Sequence, residues 1–258
     1  MPQFLADLAA RLPDTPSLVL LAAAIVIAGL VRGFSGFGAA MIFMPVASTL
    51  IEPRAAAAGF LVLDALVTLP LVAGALRRCD WSTVLPVSLA AVAVVPLGAA
   101  ILATADTEAL RWGLSTIVLA AVALLLLGWR YQGRPRLAAS LGVGAAAGLL
   151  SGVSQVAGPP VVVFWAAGPN EPATIRANLI TFFAIASLAA FAAFYFNGFY
   201  NLGVVALTLA LAPVYGLGIL SGARLFGTAA PAVYRPVAYG IILLAAISSL
   251  PALDTWLR

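Results

Sequence analysis

The sequence predicts an all-α polytopic membrane protein: about eight hydrophobic segments in two homologous halves, each half opening with a discontinuous helix. Three observations predict it. Of 258 residues, 64% are hydrophobic and only 9% charged, against about 25% charged and about 45–50% apolar in a soluble domain. Too little polar surface remains to wrap that apolar content in water, so lipid is the solvent for most of the chain. The second observation is that two of the apolar stretches are interrupted by Gly and Pro. The third is that these interruptions recur at a fixed spacing.

Residues 1–16 (MPQFLADLAARLPDTP) place two Asp and one Arg before the first apolar run and lack the basic n-region of a signal peptide. Phe4–Leu12 reads as a short amphipathic interfacial helix. A bilayer core of about 30 Å takes about 20 apolar residues per helix. Charge, Pro and Gly clusters then cut the chain into segments at 17–51, 54–76, 83–103, 109–128, 137–168, 172–196, 202–226 and 231–252. Six have the length of one crossing. Segments 17–51 and 137–168, at 35 and 32 residues, are too long for one crossing and too short for two.

Both long segments break in the middle, at Gly29-Leu-Val-Arg-Gly-Phe-Ser-Gly-Phe-Gly38 and at Gly148-Leu-Leu-Ser-Gly-Val-Ser-Gln-Val-Ala-Gly-Pro-Pro160. Backbone freed by such residues survives at membrane depth only when buried in protein or lining a polar cavity. Sliding the sequence by 119 residues puts Gly29 on Gly148, Gly33 on Gly152, Gly38 on Ala157, and Glu52-Pro53 on Glu171-Pro172. A second register of 124 puts Gly98 on Gly222 and Arg111 on Arg235. The expected organisation is an interfacial segment (1–16), a first transmembrane repeat (17–130), a basic loop (131–136), a second repeat (137–252) and a C-terminal tail (253–258). Interrupted segments at matched positions of two halves point to a transporter's binding site.

Arginine placement bears on topology. If each long segment crosses once, the Arg residues divide 7:5 between the two sides; if each goes in and returns, they divide 8:4, with Arg32 inside a break. The second split fits the positive-inside rule better and makes the halves inverted repeats. Both readings stand, with the re-entrant one favoured.

Composition also excludes. There are thirteen Arg, no Lys and no His, and Cys79 is the single Cys. Without His, the usual proton shuttle and the commonest metal ligand are missing. One Cys makes no internal disulfide and no CxxC pair. A Walker A loop needs a Lys. No basic run interleaved with aromatics suggests nucleic acid, so the net charge of +4 reads as topology information. No cofactor and no metal is expected. Among rival classes, an intramembrane enzyme lacks its residues, because Asp64 is the one centrally placed acid. A non-transporting membrane subunit has no need of broken helices, and an anion channel stays in contention.

The paired motif resembles the sulfite exporter TauE/SafE family of bacterial membrane proteins, whose pattern runs G-x-x-[SG]-G-x-x-G-x-G-G-G-x-x-x-x-P near the start of each half. The first copy here is Gly29, Arg32, Gly33, Gly36, Gly38, Ala39, Ala40 and Pro45; the second is Gly148, Ser151, Gly152, Gln155, Ala157, Gly158, Pro159 and Phe164. The likeness extends to Arg77-Arg78-Cys79-Asp80-Trp81, to Gly222-Ala-Arg-Leu-Phe226 and to Tyr234-Arg235. This copy departs from the pattern at the Gly triplets, at Gln155 and at Phe164. The resemblance implies a multi-pass protein of the bacterial inner membrane that exports a small sulfur-containing anion, sulfite or an organosulfonate. Its partners would be that anion and membrane lipid; a homo-oligomer is compatible with the sequence.

The residues themselves suggest where an anion would sit. Half-helix N-termini favour negative ligands, and glycine permits close approach. Arg32 matches tetrahedral oxyanions bidentately and is the expected main positive charge. A structural pairing with Asp64, or snorkelling to an interface, is the alternative reading. The candidate substrate-binding set is Arg32, Gly33, Ser35, Gly36, Gly38, Ser151, Gly152, Ser154, Gln155, Gly158 and Asn178. The alternative for its Gly and Ser members is close helix packing. Asp64, central in segment 54–76, is the proton-coupling candidate, with a structural role equally open.

Overall fold

A computed structural model describes residues 10–127, 135–168, 171–226, 231–248 and 250–253. Most of the expected interfacial segment Phe4–Leu12 lies outside them. The described residues form helices α1 (Thr15–Ser35), α2 (Ala39–Leu50), α3 (Pro53–Leu76), α4 (Trp81–Thr104), α5 (Thr107–Leu127), α6 (Leu137–Ser154), α7 (Gly158–Ala166), α8 (Pro172–Phe196), α9 (Leu202–Phe226) and α10 (Pro231–Ser248), with a final 3₁₀ turn at Pro251–Leu253. Among the described residues, seven helices are long and apolar enough to cross a membrane, while α2 has only 12 residues. The protein is an all-helical, multi-pass membrane protein. Its outward side chains agree: large apolar residues such as Leu127, Leu69 and Phe196, at 77%, 70% and 85% exposed, recur on nearly every long helix, an extent of exposed apolar surface that suits lipid. Tyr195 and Phe196 are both exposed at the end of α8.

Helix starts follow local chemistry. Asp14 caps α1, its Oδ2 accepting from the Ser17 N–H at 3.3 Å. Ser17 holds that carboxyl below its ordinary pKa through those hydrogen bonds. Pro opens α3 and α8, where a missing N–H is harmless. Proline inside α2, α3, α4 and α9 (Pro45, Pro70, Pro86, Pro96, Pro213) is of the kind membrane helices accommodate.

The chain forms two compact units, and neither is contiguous in sequence. The first takes Met1–Leu63, Ala105–Leu119 and Gly198–Arg258; the second takes Asp64–Thr104 and Ala120–Asn197. In the first unit α1 packs along α9. Leu21, Ile25, Ala28 and Val31 make its buried stripe, at the helical spacing that a single contact face requires. Gly29 lies against Tyr215 and Gly218, and Gly33 against Ile219 and Ala223, so residue numbers rise together and the two helices run parallel. Phe60 of α3 stacks on Phe43 of α2 at 5.6 Å and meets Tyr215 of α9 at 6.2 Å. Gly59, two turns into α3, sits beside Val204, Leu207 and Thr208 in the first turns of α9. Arg11 lies by Gly203, so α1 and α3 begin at the same end of α9.

The second unit repeats this plan with other helices. Gly144, Gly148 and Gly152 of α6 lie against Val87, Ala91 and Val95 of α4, again parallel. Its core joins Val84, Val87 and Ala91 to Ala147, Val161, Phe164, Trp165, Phe182 and Ala186. Trp165, near the end of α7, donates its indole N–H to Thr83 Oγ1 at 3.1 Å, so α7 runs back toward the start of α4. Asn178, in the second turn of α8, reaches the Asp80 N–H just before α4. Both α6 and α8 therefore begin where α4 begins.

Corresponding boundaries and contacts recur at fixed spacings. Helix ends at 35 and 154, and starts at 39 and 158 and at 53 and 172, all differ by 119. Gly29 on Tyr215 and Gly33 on Ile219 correspond to Gly148 on Ala91 and Gly152 on Val95, by 119 on one helix and 124 on the other. Gly222 against Leu30 and Gly98 against Leu149 obey the same pair of registers. The parallel pairs thus match α1 with α9 and α6 with α4, each joining a helix from the first half of the chain to one from the second.

Candidate functional site

Two short backbone breaks separate α1 from α2 and α6 from α7. At the first, α1 ends on Gly36 in the left-handed region (φ 80°), whose N–H returns to Arg32 O at 2.8 Å. Gly38, also left-handed (φ 91°), then starts α2 with no side-chain cap. At the second, Gln155 takes the left-handed position (φ 60°), with its N–H on Ser151 O at 3.1 Å, and α7 starts after Ala157, again without a side-chain cap. Gly36 and Gln155 are 119 residues apart.

Each break is tightened by a long polar side chain on its own helix. Arg32, half-buried in the last turn of α1, donates from Nη1 to Gly36 O. Its charge lies at the negative end of that helix dipole, where a cation is favoured. Gln155 donates from Nε2 to Ser151 O at 2.6 Å. Ser154, fully buried, donates from Oγ to Leu150 O at 2.9 Å and accepts from Val156 N at 3.4 Å. The second break is thus closed by its own polar groups, with Ser151, Ser154 and Gln155 acting together.

The other expected residues separate. Gly33 and Gly152 face neighbouring helix backbone: a side chain on Gly33 would strike Ile219 O and lie 2.9 Å from Ala223 N, and one on Gly152 would lie 2.7 Å from Ala99 N. Close helix packing is their observed role. Ser35 ends α1 with its side chain outside the described set. Gly158 is buried as the first residue of α7. Asn178, fully buried, accepts at Oδ1 from Asp80 N at 2.7 Å. Asp64 is half-buried in mid-α3.

The breaks also differ in chemistry. The first turn of α2 keeps its backbone N–H groups. In α7 the second and third residues are Pro159 and Pro160, which have none. A half-helix dipole is present in both, but backbone donors are fewer in the second. Sequence reasoning missed Ser88 and Thr181, polar side chains 1% and 0% exposed, and the burial of Arg111 in α5, where only 8% is exposed. Their positions in apolar helices gave no warning; burial alone marks them.

Gln155 is the one non-glycine residue with positive φ among those described. A left-handed side chain costs about 1–2 kcal/mol, and its hydrogen bond to Ser151 returns about 1 kcal/mol. Gln155→Gly is expected to leave stability within about 1 kcal/mol of wild type by those two figures. Thermal melting of the detergent-solubilised protein checks this, and a larger loss would show that the side chain holds more than this carbonyl.

The long apolar helices among the described residues define a polytopic helical membrane protein. The chain belongs to the sulfite exporter TauE/SafE family, whose profile matches residues 21–249. It is 30% identical over 235 residues to the probable sulfite/organosulfonate exporter TauE of Cupriavidus necator, covering 86% of this chain and 90% of that one. No solved structure matches it. The family is one of transporters, so the chain is a transport protein and not an enzyme.

Proposed function

We propose that this chain is a secondary transporter of the bacterial inner membrane that exports a small sulfur-containing anion, sulfite or an organosulfonate. The anion is held at the backbone breaks, and access alternates from one side of the membrane to the other. The observation that carries the reading is the matched pair of breaks, each closed by a left-handed residue 119 positions from its counterpart. A scaffold has no use for such backbone in lipid, whereas half-helix ends are how membrane proteins hold small ions. The name of the Cupriavidus necator relative supports the substrate class. The 8:4 arginine split supports re-entrant segments and inverted repeats, with the anion leaving a negative interior. The membrane potential favours that direction by about 2.3 kcal/mol per charge at 100 mV, so export needs no coupling ion.

Purified protein in proteoliposomes tests it. Saturable sulfite or sulfonate flux is expected; linear, non-saturating conductance would make the protein a channel, and no flux of any small oxyanion would end the anion reading. Asp64→Asn separates coupling from structure. If Asp64 carries a proton, the variant loses the pH dependence of flux while keeping the anion's KM; an unchanged pH profile assigns Asp64 to structure.

A further inference from the structure

Arg77, Arg78, Arg136 and Arg176 are exposed and gather at one end of the second unit, where α4, α6 and α8 all begin. Arg77 and Arg78 follow the last residue of α3, Arg136 is the N-cap of α6, and Arg176 stands in the second turn of α8. The packing of the helices brings them level. Gly144, Gly148 and Gly152 of α6 lie on Val87, Ala91 and Val95 of α4, a constant offset between two parallel helices. Carried back to the start of α6, that offset sets Arg136 level with Cys79. The Asp80 N–H donates to Asn178 Oδ1 at 2.7 Å, two residues along α8 from Arg176. Cys79 and Ile175, each next to one of these arginines in the chain or level with one, pack against the same core.

Among the described residues, none of these four guanidinium groups has a hydrogen bond or an ion pair. The acids at this end are Asp80 and Glu171, two against four. The Asp80 carboxylate is turned into its own helix, accepting from Ser82 N at 3.1 Å, Ser82 Oγ at 2.6 Å and Thr83 Oγ1 at 3.3 Å. Helix chemistry accounts for Arg77 and Arg78, which follow the negative end of the α3 dipole, but it opposes Arg136, a cation at the positive end of α6. Nor does the repeat require these charges. Their counterparts at the two registers are Asn201, Leu202, Ser17 and Ala57, none of them basic. The matching end of the first unit carries Arg11 beside Gly203, and Arg54, which is held by Glu52 at 2.7 Å and by Ala105 O at 3.1 Å.

The charged end runs directly into apolar surface. Trp81, its indole N–H on Leu76 O at 3.1 Å, begins an exposed stripe on α4 that continues through Leu85 and Leu89 at the spacing of one helix face. Leu137 and Leu141 do the same on α6, next to Arg136. A molecule with an anionic head and apolar tails fits both parts of such a surface, whereas a small free anion would use only the charges. The second break is elsewhere: Gly152 meets Val95 and Ala99, about 20 Å further along α4 at about 1.5 Å per residue.

We infer that this end of the second unit is a docking surface for anionic phospholipid, with Arg77, Arg78, Arg136 and Arg176 taking the headgroup phosphate and the apolar stripes of α4 and α6 taking the acyl chains. A guanidinium meets phosphate oxygens with two parallel N–H groups, and arginine beside a membrane surface is drawn to anionic lipid. Such docking needs no transported anion and stands apart from the export reading.

Native mass spectrometry of the full chain in a neutral detergent reads the result, with dioleoylphosphatidylglycerol and dioleoylphosphatidylcholine added in equal amounts. The two lipids share acyl chains and a phosphate and differ in net charge. Wild type is expected to retain the phosphatidylglycerol at least about tenfold better. Arg136→Gln and Arg176→Gln should each cut that preference about fivefold, the effect of one arginine at a charged surface. Arg77→Gln combined with Arg78→Gln should abolish it. Arg11→Gln removes an exposed arginine of the first unit and should leave the preference within about twofold of wild type. Equal retention of the two lipids by wild type overturns the surface, as does a preference that survives in the double variant. An equal fall in Arg11→Gln also overturns it, because net charge alone would then explain the selection. Displacement of the lipid by sodium phosphate, but not by sodium chloride at the same ionic strength, would make this a site for a free oxyanion and end the lipid assignment. Should the double variant fail to fold, Arg136→Gln and Arg176→Gln decide it by the same criterion.

Discussion

Gly33→Val is expected to abolish the folded protein. The added Cβ would strike Ile219 O and come within 2.9 Å of both Ile219 C and Ala223 N, all backbone atoms of α9. A side chain can rotate away; a helix backbone cannot. Overpacking a core costs about 1–3 kcal/mol even where side chains give way, and here the helices must part along the whole α1–α9 seam. Within lipid, that seam is held by close packing and not by exclusion of water. A total stability of about 5–15 kcal/mol leaves little margin for losing it. Gly152→Val should behave alike, since its Cβ meets Val95 O and lies 2.7 Å from Ala99 N. Gly142→Ala and Gly113→Ala are the controls, because nothing lies within 4 Å of their added Cβ. Those two should be neutral or gain up to about 1 kcal/mol from helix propensity. Fluorescence-detected size exclusion after heating checks all four, and a wild-type melting profile for Gly33→Val would refute the parallel contact.

The contrast between Gly33 and Gly36 shows what sequence can and cannot convey. Both stand in one motif, three residues apart. Gly36 is needed for its left-handed backbone, which is a local property, and its place at the end of an apolar run with a second glycine beyond already suggests a turn. Gly33 is needed because another helix touches it, and that helix comes from residues around 219, most of the chain away. Local pattern holds no such information. The same limit applies to organisation. The halves 17–130 and 137–252 follow chain order, whereas each compact unit takes helices from both. Lipid as solvent and the helices expected from 54 and 172, which begin at Pro53 and Pro172, were legible because Pro and hydropathy act locally. Thr181 and Ser88 were not, since a hydroxyl in an apolar helix ordinarily bonds its own backbone. Which hydroxyl departs from that habit depends on its neighbours in space.

Arg32→Ala is expected to lower anion flux by at least about a hundredfold, the loss of roughly two charge-assisted hydrogen bonds. The guanidinium carries five N–H donors in a fixed fork, and Nη1 donates to Gly36 O at the turn between α1 and α2. Two explanations of such a loss must be told apart. In one, Arg32 only secures the turn, so that its removal leaves the Gly36 carbonyl bare and the first turn of α2 misplaced. In the other, its charge also draws the anion to the break. Arg32→Gln distinguishes them because it keeps a neutral amide donor, the group that Gln155 uses to close the second break. If securing the turn is the whole role, Arg32→Gln should retain flux within about tenfold of wild type, one hydrogen bond's worth. If the charge matters, Arg32→Gln should fail as badly as alanine, while Arg32→Lys recovers part of the rate. Flux is measured in proteoliposomes at matched protein content, with melting temperatures showing that each variant is folded. The charge reading predicts the order wild type, Lys, then Gln and Ala together; any order that places Gln above Lys returns Arg32 to a purely structural part.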